Sequence, residues 1–273
     1  MVTYEVKMQE RTLAIVLLDL IGSTKFVQKV GAERAAKHFQ YHDRLARSLV
    51  YKFGGREIDR SDGFLLSFDR VIDAVNFALH YQISIPVRTH LDARIGIHWG
   101  SIVEVIQDDV FVAANAKRVE LEGISKNIAA RTMSLCQAKQ VLLTKEAMGM
   151  LKGRTNTYTP KGTRYACVGL YKFKGVKEPL VIYAVGSDIK SLQPPPGSDK
   201  VKRVGGPKKI KSRARDRKIK EWLWWVLWRL FIINIVYYTI IWLIFVSNPA
   251  ARRTWGIKYF DWMDYIMLSL IHI

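Results

Sequence analysis

Acidic residues are scarce in this 273-residue chain: 24 Asp and Glu face 43 Lys and Arg, a formal charge of +19. That balance would ordinarily suggest nucleic acid or an anionic membrane, so where it sits matters more than its sum. Residues 1–190 hold 28 basic against 19 acidic side chains, whereas residues 200–220 hold 11 against 1. The excess belongs to the tail, and no specific nucleic-acid partner is expected. Cysteine is scarcer still. Cys136 and Cys167 lack a second Cys or a paired His at metal-ligand spacing, which excludes a disulfide framework and a structural zinc site and suits a reducing compartment. No secretory leader is expected either, because the apolar run at 12–18 is short and continues straight into Asp19.

Long apolar runs are absent except near the end. Residues 222–246 are almost wholly apolar, interrupted by Arg229 and Asn234, and as a helix they exceed the roughly 20 residues that cross a bilayer. Trp222, Trp224, Trp225 and Trp228 suit the headgroup region, with Arg229 snorkelling to it. A transmembrane helix is therefore expected over 221–247, with a buried pair of core helices as the alternative. The basic block before it places the N-terminal domain in the cytoplasm, at an inner membrane. Arg252 and Arg253 on the far side oppose this orientation only weakly. Residues 191–220 read as a Pro-rich and polybasic linker, since a run of three prolines stays extended outside a core and the basic stretch has little apolar content. The last six residues, LSLIHI, read like a translated sequencing adapter. Residues 248–273 are accordingly expected to be a truncated or artefactual segment, in which 259–267 would begin a second span.

Residues 1–190 alternate strand-like and helix-like patterns. Strands are expected at 13–18, 93–98, 102–106, 141–144, 164–171 and 180–185, and helices at 31–52, 71–82 and 123–135. Residues 56–68 form a hairpin around Ser61, Asp62 and Gly63. This order implies a mostly antiparallel sheet covered by helices, an α+β fold.

Three groups within it carry chemistry. Asp19 ends a strand and is followed by Leu20, Ile21, Gly22, Ser23 and Thr24; such an aspartate can hold a divalent cation while the helix-start N–H groups cradle phosphates. Alone, the pattern reads more readily as a helix cap. Asp62, at the hairpin tip, would add a second carboxylate for two-metal attack on phosphorus, or merely occupy a turn. Asn127 and Arg131, four apart, project from one helical face and could orient a ribose and bind a charged phosphate, or form a solvated face.

Five runs carry a family likeness: IVLLDLIGST at 15–24, GGREIDRSDGFLLSF at 54–68, RIGIHWG at 94–100, EGISKNIAARTMSL at 122–135 and YKFKGVKEPLVIYAV at 171–185. In this order they resemble the class III adenylate/guanylate cyclase catalytic domain over about residues 12–185. The resemblance implies a ferredoxin-like α+β domain, here with a C-terminal transmembrane helix, acting as a phosphorus–oxygen lyase of adenylate cyclase type. It implies that Asp19, Asp62 and the Leu20 carbonyl bind two Mg2+ or Mn2+ ions, and that Ile21 to Thr24 hold phosphates. Asn127 and Arg131 would then serve the site of the opposite subunit in a homodimer. Two base-selecting positions depart from the adenylate pattern. Ile58 stands where a lysine is usual, leaving Arg60, on the same strand face by period two, as a substitute donor. Glu120 stands where Asp or Thr is usual, and it could accept from adenine, cytosine or uracil. ATP is the first substrate expected; the alternatives are a pyrimidine cyclase similar to those of antiphage signalling and a non-catalytic nucleotide-binding module. In the last run Lys174 lies near the position of a triphosphate contact, although Val176 replaces the usual lysine. His98 reads as the end of a buried strand rather than a base.

Overall fold

The computed structural model describes residues 7–61, 63–89, 91–151 and 158–247, in two compact units, Met1–Lys211 and Ser212–Ile273. The first unit is built on a long central strand, β1 (Lys7–Ile21), paired antiparallel on one side with β3 (Gly63–Phe68) and on the other with β4 (Asp92–Ile106). The hairpin partner of β3 is β2 (Gly55–Arg60). With β5 (Val119–Glu122), β6 (Val141–Thr144), β7 (Arg164–Phe173), β8 (Leu180–Gly186), β9 (Gly197–Ser198) and β10 (Val201–Gly205), they form one ten-stranded sheet. Its order is β2-β3-β1-β4-β6-β8-β7-β10-β9, with β5 on β4. Every pairing is antiparallel except β4 with β6, so the expected α+β architecture is observed.

Because β1 is covered on both faces, both of its alternating sets are apolar. Ala14, Val16, Leu18 and Leu20 pack with α2 (Ala32–Lys52), α3 (Val71–Thr89) and α6 (Lys145–Leu151). Leu13, Ile15 and Leu17 face the opposite way, toward Ala129 of α5 (Ile124–Leu135). α5 lies close on β4, and Gly96 permits it: a Cβ there would stand 2.2 Å from Met133 N. Two shorter helices, α1 (Ser23–Val30) and α4 (Asp109–Ala113), join β1 to α2 and β4 to β5. Gly31, at φ 83°, separates α1 from α2.

The stretch expected as a free linker behaves otherwise. Tyr171 Oη donates to Pro195 O at 2.8 Å, and Gln140 Nε2 donates to Ser191 O and Gln193 O at 3.0 and 2.8 Å. Pro195 is buried, and Val201 is fully buried among Tyr171, Phe173 and Ile182. The carbonyls of Ser191, Gln193 and Pro195 thus accept hydrogen bonds from the domain, and β10 becomes another sheet strand. After Gly206 the chain enters α7 (Pro207–Ser247), 41 residues long. Its Lys218–Ile241 stretch is long and apolar enough to cross a membrane, and none of it is buried in the chain. Arg229 stacks over Trp225 at 4.0 Å. Residues 248–273, including the LSLIHI end, lie outside the described residues.

Candidate active site

Asp19 sits where β1 is flanked by two neighbours at once: its register partners are Gly63 on β3 and Arg94 on β4. The Arg94 guanidinium meets Asp19 Oδ2 through Nε at 3.0 Å and Nη2 at 2.6 Å, leaving Oδ1 free of this pairing. Asp19 is not a helix cap. The capping position before α1 is Gly22, left-handed at φ 73°, and no side chain caps the helix. Phe26 N bonds Gly22 O at 2.9 Å, so the amides of Ser23, Thr24 and Lys25 precede the first intrahelical bond and remain donors. Leu20 is buried and its chain passes directly from the carboxylate into this turn.

Asp62, expected as the second carboxylate, lies outside the described residues. Its neighbour Gly63 is tightly placed: a Cβ there would fall 2.2 Å from Leu18 O, so only glycine lets β3 begin this close to Asp19.

Asn127 and Arg131 lie on α5, on the face of the sheet that Asp19 also shares. Asn127 is exposed, whereas Arg131 is half-buried, and its Nε is a buried donor without a hydrogen-bond partner among the described residues. Such an orphaned guanidinium atom suits an anion that the described residues do not supply. The position of α5 is fixed by Ser125 Oγ donating to Ser101 O at 2.6 Å and by Cys136 Sγ on Ile95 O at 3.1 Å. Asn127 therefore lies near the Gly100 end of β4, whereas Asp19 faces Arg94. Six strand residues separate those levels, roughly 20 Å at about 3.3 Å each. One chain does not bring Asn127 to Asp19.

The base-selecting positions divide between the faces. Ile58 packs with Leu17, Leu65 and Val119 on the α5 side. A register shift between Glu57 and Asp59 then breaks the period-two pattern. Asp59 pairs with Leu65, and its Oδ1 meets Lys117 Nζ at 2.6 Å. Arg60 pairs with buried Phe64 on the opposite face, bonding Asp43 of α2 at 3.0 Å and lying 5.1 Å over the Phe64 ring. The bulge thus overturns the expectation that Arg60 shares a face with Ile58, and it puts Asp59 there instead. Glu120 is exposed, alternating with Val119 and Leu121, which face the core.

Sequence reasoning missed Arg94 and the Asp59–Lys117 pair. Arg94 was visible in RIGIHWG, but its contact with Asp19 spans 75 positions. His98 is buried, its Nδ1 2.8 Å from Thr144 Oγ1, and burial pushes its imidazole down to about 4. It is a buried core group, but it lies inside β4 rather than at the strand end expected of it.

The oxygen donors at Asp19 and Leu20, hard ligands beside free amides, fit a Mg2+ or Mn2+ ion. Among the described residues no group of three or more His, Cys, Asp or Glu is placed to hold a metal ion.

The fold agrees with that of known proteins. The adenylyl cyclase CyaB from P. aeruginosa superposes with a TM-score of 0.58 at 18% identity, covering 68% of this chain and 99% of that one. An adenylate cyclase from Trypanosoma brucei gives 0.53 at 20% identity, covering 71% and 94%. The guanylate cyclase domain of RhGC from Catenaria anguillulae, solved with GTP, gives 0.51 at 17% identity, covering 65% and 97%. At these identities the likeness is one of fold. No curated protein matches the chain. A family model described as the adenylate and guanylate cyclase catalytic domain matches residues 6–187, and the chain belongs to that family.

Proposed function

We propose that the chain is a membrane-tethered nucleotide cyclase that converts a nucleoside triphosphate, ATP first among them, to its 3′,5′-cyclic monophosphate and pyrophosphate. The observation that carries this reading is the separation of two incomplete half-sites on one sheet face, with the Arg131 Nε unpartnered. A homodimer in which Asp19 of one protomer meets Asn127 and Arg131 of its partner would complete two sites.

In such a site the divalent ions would make the ribose 3′-hydroxyl more acidic and draw charge from the leaving pyrophosphate. Asp19 and the Leu20 carbonyl would hold them, with Asp62 as the further carboxylate. Arg94 fixes the Asp19 side chain from the neighbouring strand. The amides from Ser23 to Lys25 would bind the β- and γ-phosphates. Asn127 would orient the ribose, and Arg131 would bind the charge that develops on the α-phosphate oxygens. No covalent intermediate is needed. The helix stretch Lys218–Ile241 would anchor the enzyme, leaving the catalytic unit on the cytoplasmic side by the positive-inside rule.

A second reading, a UTP or CTP cyclase, is favoured by Ile58 together with Asp59 and Lys117, which offer an acceptor and a donor where the adenylate pattern has a lysine. The purified chain should be incubated with Mn2+ and each of the four triphosphates. Cyclic product from at least one, lost in Asp62→Asn, is the expected result; no product from any of them refutes the enzyme and leaves a nucleotide-binding module.

A further inference from the structure

The apolar part of α7 has two different faces. Leu223, Leu227, Leu230, Asn234, Tyr237 and Ile241, spaced alternately by four and three residues, fall in one row along the helix. All six are exposed in the single chain. Trp225 and Arg229, stacked at 4.0 Å, project from the opposite face. Such a row has the spacing of one helix in a left-handed pair that crosses at about 20°.

Asn234 is the amide in this row. Whether the bilayer is centred on Lys218–Ile241 or on residues 222–246, Asn234 lies within about 7 Å of its midplane, at about 1.5 Å per residue. Hydrocarbon offers a carboxamide nothing to bond, and an unmet amide there is costly. Thr239 meets the same difficulty inside the helix, donating through Oγ1 to Ile235 O at 2.7 Å. The Asn234 side chain makes no hydrogen bond among the described residues.

Two copies of the chain insert the same way round, because the same basic block precedes the span in each. In a parallel pair packed along this row, each residue stands level with its own copy. A partner for Asn234 must then be a group that can bond to itself. A carboxamide can, since its N–H donates and its C=O accepts, so that two of them close a reciprocal pair. One amide at such a position also fixes the register of the two helices.

We propose that α7 pairs within the membrane with α7 of a second copy of this chain, Asn234 bonding the partner's Asn234. The pairing rests on the membrane tether proposed above and needs nothing of the cyclase chemistry. Joined helices keep two catalytic units at high effective concentration, which sites shared between protomers require.

The test places the full chain in phosphatidylcholine liposomes with one added cysteine, Leu230→Cys or Tyr237→Cys in the row or Ile232→Cys on the opposite face, and oxidises it with copper–phenanthroline. The chain without an added cysteine sets the background from Cys136 and Cys167. Disulfide-linked dimer on non-reducing gels should form at 230 and 237 and stay at background at 232, since a disulfide requires close approach of the two backbones. Adding Asn234→Leu should slow the cross-linking about tenfold, whereas Asn234→Gln, which keeps the amide, should preserve it. Leucine inserts more readily than asparagine, so that loss is not loss of the span. Equal cross-linking on both faces, none on either, or cross-linking unaltered by Asn234→Leu overturns the pairing. A chain that alkaline carbonate strips from the liposomes refutes the tether and the pairing together. A chain that stays bound but lacks the cross-linking pattern refutes the pairing alone.

Discussion

Arg131 and Arg94 do different work although both are arginines facing the same side of the sheet. Arg94 is already satisfied by Asp19, whereas Arg131 keeps a buried donor open. Removing a group used only as charge develops costs turnover rather than folding. Arg131→Ala should lower kcat by about 10²–10³ with an unchanged urea midpoint, read by parallel product assays and unfolding curves. Gly96→Ala should instead cost stability. Its Cβ meets the backbone of α5, which has no flexible end to yield, and overpacking of this kind costs about 1–3 kcal/mol. The histidines set a pH window. Burial lowers both His42 and His98 to about 4; for His42, Asp43 opposes the shift and Arg60 and Arg47 assist it. Unfolded chains bind these protons from about 6.5 downward and the folded chain does not. Stability is therefore full above about pH 6.5 and falls toward pH 4, by about 1.4 kcal/mol per pH unit for each histidine. Urea midpoints between pH 7 and pH 4.5 check the slope, and His98→Asn should flatten it.

Among the elements, those with strong local signals were legible in the sequence. The amphipathic α2 and the helix carrying Asn127 and Arg131 form near the expected bounds, and the strand expected at 13–18 forms inside a longer β1 that passes through Asp19 to Ile21, because periodicity reports which faces are buried. What escaped depended on neighbours far away in sequence. The bulge after Glu57 moved Arg60 to the α2 side, and nothing in GREIDR announces it. The Pro194–Pro196 run looked like a spacer, yet Tyr171 and Gln140 hold its flanks, and Val201 completes a core that no local pattern revealed. This changes where the chain can be cut. A chain ending at Gly206 should leave the membrane fraction with its cyclase domain folded. One ending at Gln193 should also be released but lose about 1.5–3 kcal/mol from the burial of Val201 alone. Fractionation and thermal melts of the two truncations distinguish these outcomes; a chain ending at Gly206 that stays membrane-bound contradicts the span at Lys218–Ile241.

At the scale of the molecule, the proposed shared sites would leave a single protomer with two incomplete halves. Asp19 and Asn127 occupy the same sheet face about 20 Å apart along the strands. A two-fold pairing repeats each contact, so it would join the complementary halves twice. The measurement that tests this account most directly mixes two inactive variants, Asp19→Asn and Arg131→Ala, and assays cyclic nucleotide formation. Each variant alone should be inactive. Their equimolar mixture should recover about a quarter of the activity of the unaltered chain, since half the dimers are mixed and each mixed dimer has one intact site. A mixture as inactive as its components, made from a chain that is active when unaltered, would contradict sites shared between protomers.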